Sequence, residues 1–210
     1  MVAIKFCGLT READVRTAAA LGASYAGVIF AGGPRNRTIE EAAALFAHAA
    51  PMRRVGVLRA SDAAAARVQA ARAPLDVIQL HADPTGDDVA RARESGAEIW
   101  AVVRIAGGTL HPEARTLFQV ADAVVLDTRS EGGLGGTGRT FDWRGVAAEL
   151  RPLSRRARLV VAGGLDPSNV AEAIRVLAPD IVDVSSGVES APGVKDPDLM
   201  RRFVEAARSA

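Results

Sequence analysis

The chain has 210 residues and a formal net charge of +1, from 26 basic and 25 acidic side chains, a balance that leaves no electrostatic footprint for nucleic acid or an anionic membrane. Apolar residues make up 49% of it and aromatics 4%, so one sizeable core, built mainly from Ala, Val, Leu and Ile, is expected within a single domain over residues 1–210. The single Cys excludes an intrachain disulfide, the opening MVAIKFCGLT lacks the apolar run and cleavage site of a signal peptide, and no apolar stretch is long enough to span a bilayer, so a soluble cytoplasmic protein is expected.

In chain order, short runs rich in Val and Ile alternate with longer amphipathic stretches. Val2–Cys7 precedes a helical pattern over Arg11–Leu21, Ala26–Phe30 precedes Glu40–Ala49, Arg54–Leu58 precedes Asp62–Ala73, and Val77–Leu80 precedes Asp87–Ser95. The second half repeats the scheme: Glu98–Val103 and Pro112–Gln119, Ala123–Leu126 and Trp143–Leu150, Leu159–Ala162 and Pro167–Leu177, Ile181–Val184 and Pro197–Ala207. The short runs suit strands buried on both faces. Asp166–Pro167 and Asp196–Pro197 read as a cap residue followed by Pro at the first helical position, and Gly22 and Gly96 sit where a helix end wants a left-handed residue. Strict alternation predicts a parallel sheet, and eight repeats predict an α/β fold closed into a (β/α)₈ TIM barrel, with an open doubly wound sheet as the alternative.

In such a barrel the active site lies at the carboxyl ends of the strands. That rule singles out Cys7 on the first strand, His81 after the fourth, Arg104 after the fifth, Asp127 after the sixth, and Ser185 and Ser186 after the eighth, with Arg35 and Arg37 in the loop after the second. Three glycine-bearing loops stand beside them: Gly132–Gly138 (GGLGGTG, with Gly136), Gly163–Gly164, and the SSG of Ser185, Ser186 and Gly187. Glycine lets the backbone approach a ligand, and turned N–H groups make an anion nest. The loops after strands 7 and 8, aided by the positive end of a helix after strand 8, are where this fold typically holds phosphate; the bland reading is that these glycines only make tight turns.

Seven collinear blocks carry a family resemblance. They are KFCGLT, GVIF followed by PR, IQLHAD, LDT with GGTGRTFDW, AGGLDPSNV, DVSSGVE and PGVKD, and together they span nearly the whole chain. In this order they resemble the phosphoribosylanthranilate isomerases of tryptophan biosynthesis. Two departures are visible. Ala82 stands where the family usually has Gly, which is of little consequence if φ there is negative, and the second-strand loop AGGPRNRT is about one residue short, so Arg35 is the first choice for its role and Arg37 the reserve.

The resemblance implies an Amadori rearrangement of N-(5′-phosphoribosyl)anthranilate, with Cys7 as general base and Asp127 as general acid, and with neither metal nor organic cofactor. Arg35 would grip the anthranilate carboxylate with its planar fork. Lys5, two residues before Cys7 on the same strand, shares its face and would favour the thiolate. Burial or a neighbouring anion should raise the pKa of Asp127 so that it carries a proton. His81 either lines the pocket or satisfies a hydrogen bond inside the barrel, and Asp183 either shapes the ribose pocket or buttresses it. Gly136, Gly163, Gly164, Ser185, Ser186 and Gly187 are the phosphate candidates. His48 and His111 read as structural. Lys195 and Asp196 belong to a matching block, with a helix-start role the simpler account of Asp196.

The partner implied is a phosphorylated aminosugar, with the protein a monomer or a homodimer. Three rivals remain: a sugar-phosphate epimerase, an indole-glycerol-phosphate synthase, and a non-catalytic phosphosugar-binding module. A metal-dependent epimerase would want several strand-end His and Asp ligands, where only His81 is a strand-end His. A synthase would want a catalytic Lys and a longer N-terminal extension. A binding module would have no need of both Cys7 and Asp127.

Overall fold

A computed structural model describes residues 1–106, 108–128, 140–153 and 156–210, without the side chains of 67 and 68. Eight parallel strands close into a barrel in sequence order: β1 Ala3–Phe6, β2 Tyr25–Ile29, β3 Arg53–Arg59, β4 Val77–His81, β5 Glu98–Ile105, β6 Ala123–Thr128, β7 Arg158–Val161 and β8 Ile181–Val184. β8 pairs with β1 over four residues, Ala3 opposite Ile181 through Phe6 opposite Val184, so the sheet has no free edge and the doubly wound alternative is excluded. The helices are α1 Glu12–Ala20, α2 Ile39–Phe46, α3 Ala66–Arg72, α4 Gly86–Arg93, α5 Ala114–Val120, α6 Trp143–Leu150, α7 Val170–Leu177 and α8 Pro197–Arg208. A small hairpin, β9 Glu189–Ala191 with β10 Val194–Lys195, precedes α8. Among the described residues no helix is long and apolar enough to cross a membrane.

The period of two along each strand decides what faces inward. Tyr25, Val55, Val77, Trp100, Val102, Ala123, Val125, Val160, Ala162 and Ile181 form one buried interior cluster, while residues such as Ile4, Phe6, Val28, Ile78, Ile99, Val124 and Val182 join the layer shared with the helices. Moving toward the carboxyl ends, the inward positions turn polar: Lys5 then Cys7 on the first strand, Gln79 then His81 on the fourth, Asp127 on the sixth, Asp183 then Ser185 on the eighth. The chemistry therefore stands on a dry apolar floor. At the opposite end, Glu98 accepts from Arg53 at 2.5 Å and from Arg158 at 2.6 Å, and Arg158 also donates to the Tyr25 hydroxyl. These charges are partly solvated, so each pair adds at most about 1 kcal/mol.

The expected helix starts and stops are met at some positions and not at others. Asp196 does cap α8, accepting from the N–H of Asp198 and Leu199, with Pro197 in the first turn. Gly22 and Gly96 adopt φ +73° and +78° just past their helices. At Pro167 the chain instead makes a turn held by Asp166, whose carboxylate accepts from the N–H of Ser168, and α7 begins at Val170. The stretch read as one helix over Asp62–Ala73 opens as a 3₁₀ segment, Ala60–Ala65, before α3, because a run of Ala specifies neither turn type.

Candidate active site

A cleft sits at the carboxyl ends of the strands, enclosing about 890 Å³ of empty space that includes open solvent. Cys7, Arg35, His81, Asp127, Asp183 and the Gly163–Gly164 and Ser185–Gly187 turns all line it, although they come from six different βα units. Lys5 lies directly beneath. Its Nζ donates to Asp183 Oδ2 at 2.7 Å, and both side chains are buried. Gly136 lies outside the described residues, as does the rest of its glycine-rich run. Arg37 is absent from the cleft lining and donates through Nη1 to the Asn36 carbonyl, so of the two competing arginines it is Arg35 that reaches the cleft. Lys195 is buried beneath the rim, donating to the Ser185 carbonyl.

The electrostatics follow from this packing. Burial, then the neighbouring charge of Asp183, pushes the Asp127 carboxyl up to about 6 against the Thr128 N–H, Lys5 and Arg104. Burial also pushes the Cys7 thiol up, and Asp183 adds to this, while Lys5 and Lys195 oppose it without overcoming it. Lys5 keeps its proton: burial would lower its pKa, yet Asp183 and Cys7 hold it above the usual value. Burial and then Arg104 depress His81, which leaves a neutral imidazole near pH 7. The cleft thus offers a carboxyl able to carry a proton, a sulfur able to lose one beside a fixed cation, and an arginine at the rim.

The glycines have distinct jobs. Gly163 and Gly164 adopt φ of +79° and +70°, and a Cβ on Gly163 would come within 2.8 Å of Asp127 Oδ1. A Cβ on Gly187 would overlap the Leu165 carbonyl oxygen, so only glycine lets the turn after β8 press against the loop after β7. Gly187→Ala is expected to splay the two loops, raise the KM for a phosphorylated substrate at least about tenfold and cost about 1–3 kcal/mol of stability. Steady-state kinetics and thermal unfolding check both; unchanged KM would show that the joint between the loops does not shape the site.

Sequence reasoning passed over three residues. Gly27 has its Cα against Cys7 and Lys5, where a Cβ would stand 3.2 Å from the Cys7 sulfur and Lys5 Cε. Gln79 lines the cleft, buried, with its Oε1 unpartnered among the described residues. Its inward register two residues before His81 was the available signal. Glu189 accepts from both Arg35 and Lys195. Among the described residues no cluster of three or more His, Cys, Asp or Glu is placed to hold a metal ion.

Comparison with known proteins bears on what this cleft serves. A family model described as N-(5′-phosphoribosyl)anthranilate (PRA) isomerase matches residues 4–206. The chain belongs to the phosphoribosylanthranilate isomerase family. Relatives of that name include the proteins of Haloferax volcanii, 40% identical over 100% of this chain and 95% of its own length, and of Ruegeria sp., 40% identical over 99% and 98%. Among solved structures, the phosphoribosylanthranilate isomerase of Thermotoga maritima superposes with a TM-score of 0.89 at 29% identity over the whole of both chains. One solved in complex with reduced 1-(o-carboxyphenylamino)-1-deoxyribulose 5-phosphate does so at 0.86 and 28%, again over both whole chains. As a phosphoribosylanthranilate isomerase family member the chain is an isomerase with a closed TIM barrel. Its Ala82 is the less comfortable departure from the family pattern: φ there is +69°, not negative, a conformation that costs an L-residue roughly 1–2 kcal/mol and that Gly would adopt freely.

Proposed function

We propose that residues 1–210 form one barrel domain that converts N-(5′-phosphoribosyl)anthranilate to 1-(2-carboxyphenylamino)-1-deoxyribulose 5-phosphate in tryptophan biosynthesis, in the cytoplasm. The observation that carries this reading is the single cleft shared by Cys7, Asp127, Arg35 and two glycine turns. The phosphate lies against the backbone of Gly163–Gly164 and Ser185–Gly187, where N–H groups of tight turns favour an anion. The one-turn 3₁₀ segment Ser186–Val188 stands where a helix start was expected. The anthranilate carboxylate meets Arg35, and the ribose hydroxyls reach the acceptors of Asp183 and Gln79, whose Oδ1 and Oε1 lack partners among the described residues.

Asp127 donates its proton to the furanose ring oxygen as the C1′–O bond breaks, and the anilino nitrogen lone pair closes a protonated Schiff base at C1′. The Cys7 thiolate then takes the proton from C2′, and that electron pair forms the C1′–C2′ double bond of an enolamine while the imine nitrogen recovers its lone pair. Tautomerisation returns a proton to C1′ and leaves the C2′ ketone. Atoms balance within the substrate, so no redox partner is required. Lys5 supports the thiolate from below, and neutral His81 borders the reacting sugar. Steady-state turnover of phosphoribosylanthranilate by the purified protein tests the reading. Loss of the substrate's fluorescence, inhibited competitively by a phosphorylated product analogue, is expected; no turnover of this substrate alongside inversion at C3 of a pentulose phosphate would favour an epimerase instead.

A further inference from the structure

At the rim of the cleft stands a three-residue ion cluster of which the chemistry above uses only Arg35. Glu189 opens the hairpin after the phosphate-binding turn, and its side chain is 4% exposed. Arg35 donates to it with one edge of its guanidinium, Nε to Oε1 at 2.8 Å and Nη2 to Oε2 at 2.6 Å. On the other side Lys195, fully buried, donates from Nζ to Oε1 at 2.8 Å and to the Ser185 carbonyl at 3.0 Å. The aliphatic stem of Arg35 rests on Gly8, where even a Cβ would strike its Cδ at 2.6 Å, so the arm lies directly over the turn that follows Cys7.

Three consequences follow from this geometry. The side-on fork fixes the guanidinium plane, because two parallel N–H to oxygen bonds leave no rotation about the long side chain. Using the Nε–Nη2 edge for Glu189 leaves Nη1 and the second Nη2 proton without a hydrogen-bond acceptor among the described residues, open to another planar anion. Two cations share one carboxylate, so the cluster carries one uncompensated positive charge, which an incoming carboxylate would neutralise. An isolated surface arginine would lose substantial rotameric freedom on gripping a ligand, and here that freedom is already gone in the free protein.

We infer that Glu189 is a positioning residue that holds Arg35 in the orientation needed to grip the substrate's arylcarboxylate, with Lys195 locking Glu189 to the phosphate-binding turn. The inference rests on the functional reading above, and in particular on Arg35 as the carboxylate ligand. It makes the aromatic-carboxylate end and the phosphate end of the site parts of one rigid frame, joined through Arg35, Glu189, Lys195 and Ser185. Discrimination for a substrate bearing an arylcarboxylate then depends on a residue that need not touch it.

The test uses the full chain and two readouts, the Kd of the reduced product analogue by calorimetry and steady-state kinetics with phosphoribosylanthranilate. Glu189→Gln is expected to raise both Kd and KM by about 10- to 100-fold with kcat within a few-fold, the scale of a misplaced binding group. In an Arg35→Met background the same substitution should have little further effect, because its route to the arylcarboxylate has gone. A purely structural role would instead add its full effect in both backgrounds. Since Glu189→Gln leaves Lys195 buried without its carboxylate, Glu189→Gln/Lys195→Met removes both charges together and tests Arg35 in a neutral core. Weakened binding in that folded double variant supports the inference; wild-type Kd and KM in it overturn the inference while leaving the isomerase reading intact. A wild-type protein that neither binds the analogue nor turns over the substrate overturns both.

Discussion

Cys7→Ser is expected to lower turnover of phosphoribosylanthranilate by at least about 10²–10⁴-fold while the barrel and analogue binding survive. Cys7 ends the first strand's inward series, after Ala3 and Lys5, and its sulfur opens on the cleft. Serine is close in volume and equally able to occupy the strand end, so packing around Gly27 is undisturbed. What changes is acidity. Even pushed up by burial, a thiol beside the Lys5 ammonium is far more acidic than an alcohol in the same place. The loss should fall on kcat, with KM and the Kd of the reduced product analogue within a few-fold, since proton abstraction belongs to the transition state. Circular dichroism and thermal unfolding establish that the variant is folded. A rate near that of the wild type would remove Cys7 from the mechanism and leave the barrel's other titratable groups to supply the base.

The barrel was legible because its signals are local and repeated. Each of the eight strands carries a dense Val/Ile run, and the inward polar residues Lys5, Cys7, His81, Asp127 and Asp183 fall on the period of two that the pleat imposes. Residues at strand ends are brought together by closure itself, so a single cleft shared by these side chains was expected before any distance was known. What escaped was set by contacts between loops. Glu189 carries no signal in the sequence, because nothing in the local pattern of DVSSGVE says that an arginine 154 residues earlier folds onto it. Gly27 read as an ordinary strand residue, since its lack of a side chain matters only once Cys7 and Lys5 lie across from it. The left-handed φ of Ala82 likewise turns on how the chain leaves β4.

Asp127 and Cys7 together set the expected pH profile, and the signs are unusual. The reactive form needs Asp127 protonated and Cys7 ionised, yet Asp127 titrates at about 6 and burial holds the thiol above its usual range. Below pH ~6 the acid is in place and kcat/KM rises about tenfold per pH unit as thiolate forms. Between the two pKa values the gain in thiolate is offset by loss of the protonated acid, so the profile is flat. Above the thiol pKa only the loss remains, and kcat/KM falls. The bell is therefore broad, and its rising limb marks the acid while its falling limb marks the base, with both values belonging to the coupled pair. Asp127→Asn separates them. The amide keeps the size and cannot donate the proton, so kcat should drop by about 10²–10⁴-fold with KM within a few-fold. Its residual kcat/KM should lose the plateau and climb through neutral pH to the thiol's own limb. The substrate phosphate also titrates near pH 6, so any break that survives there in Asp127→Asn belongs to the substrate. A large rise in KM with kcat preserved would show that Asp127 only helps to hold the sugar, and His81, which lines the same cleft from the end of β4, would be the next residue to replace.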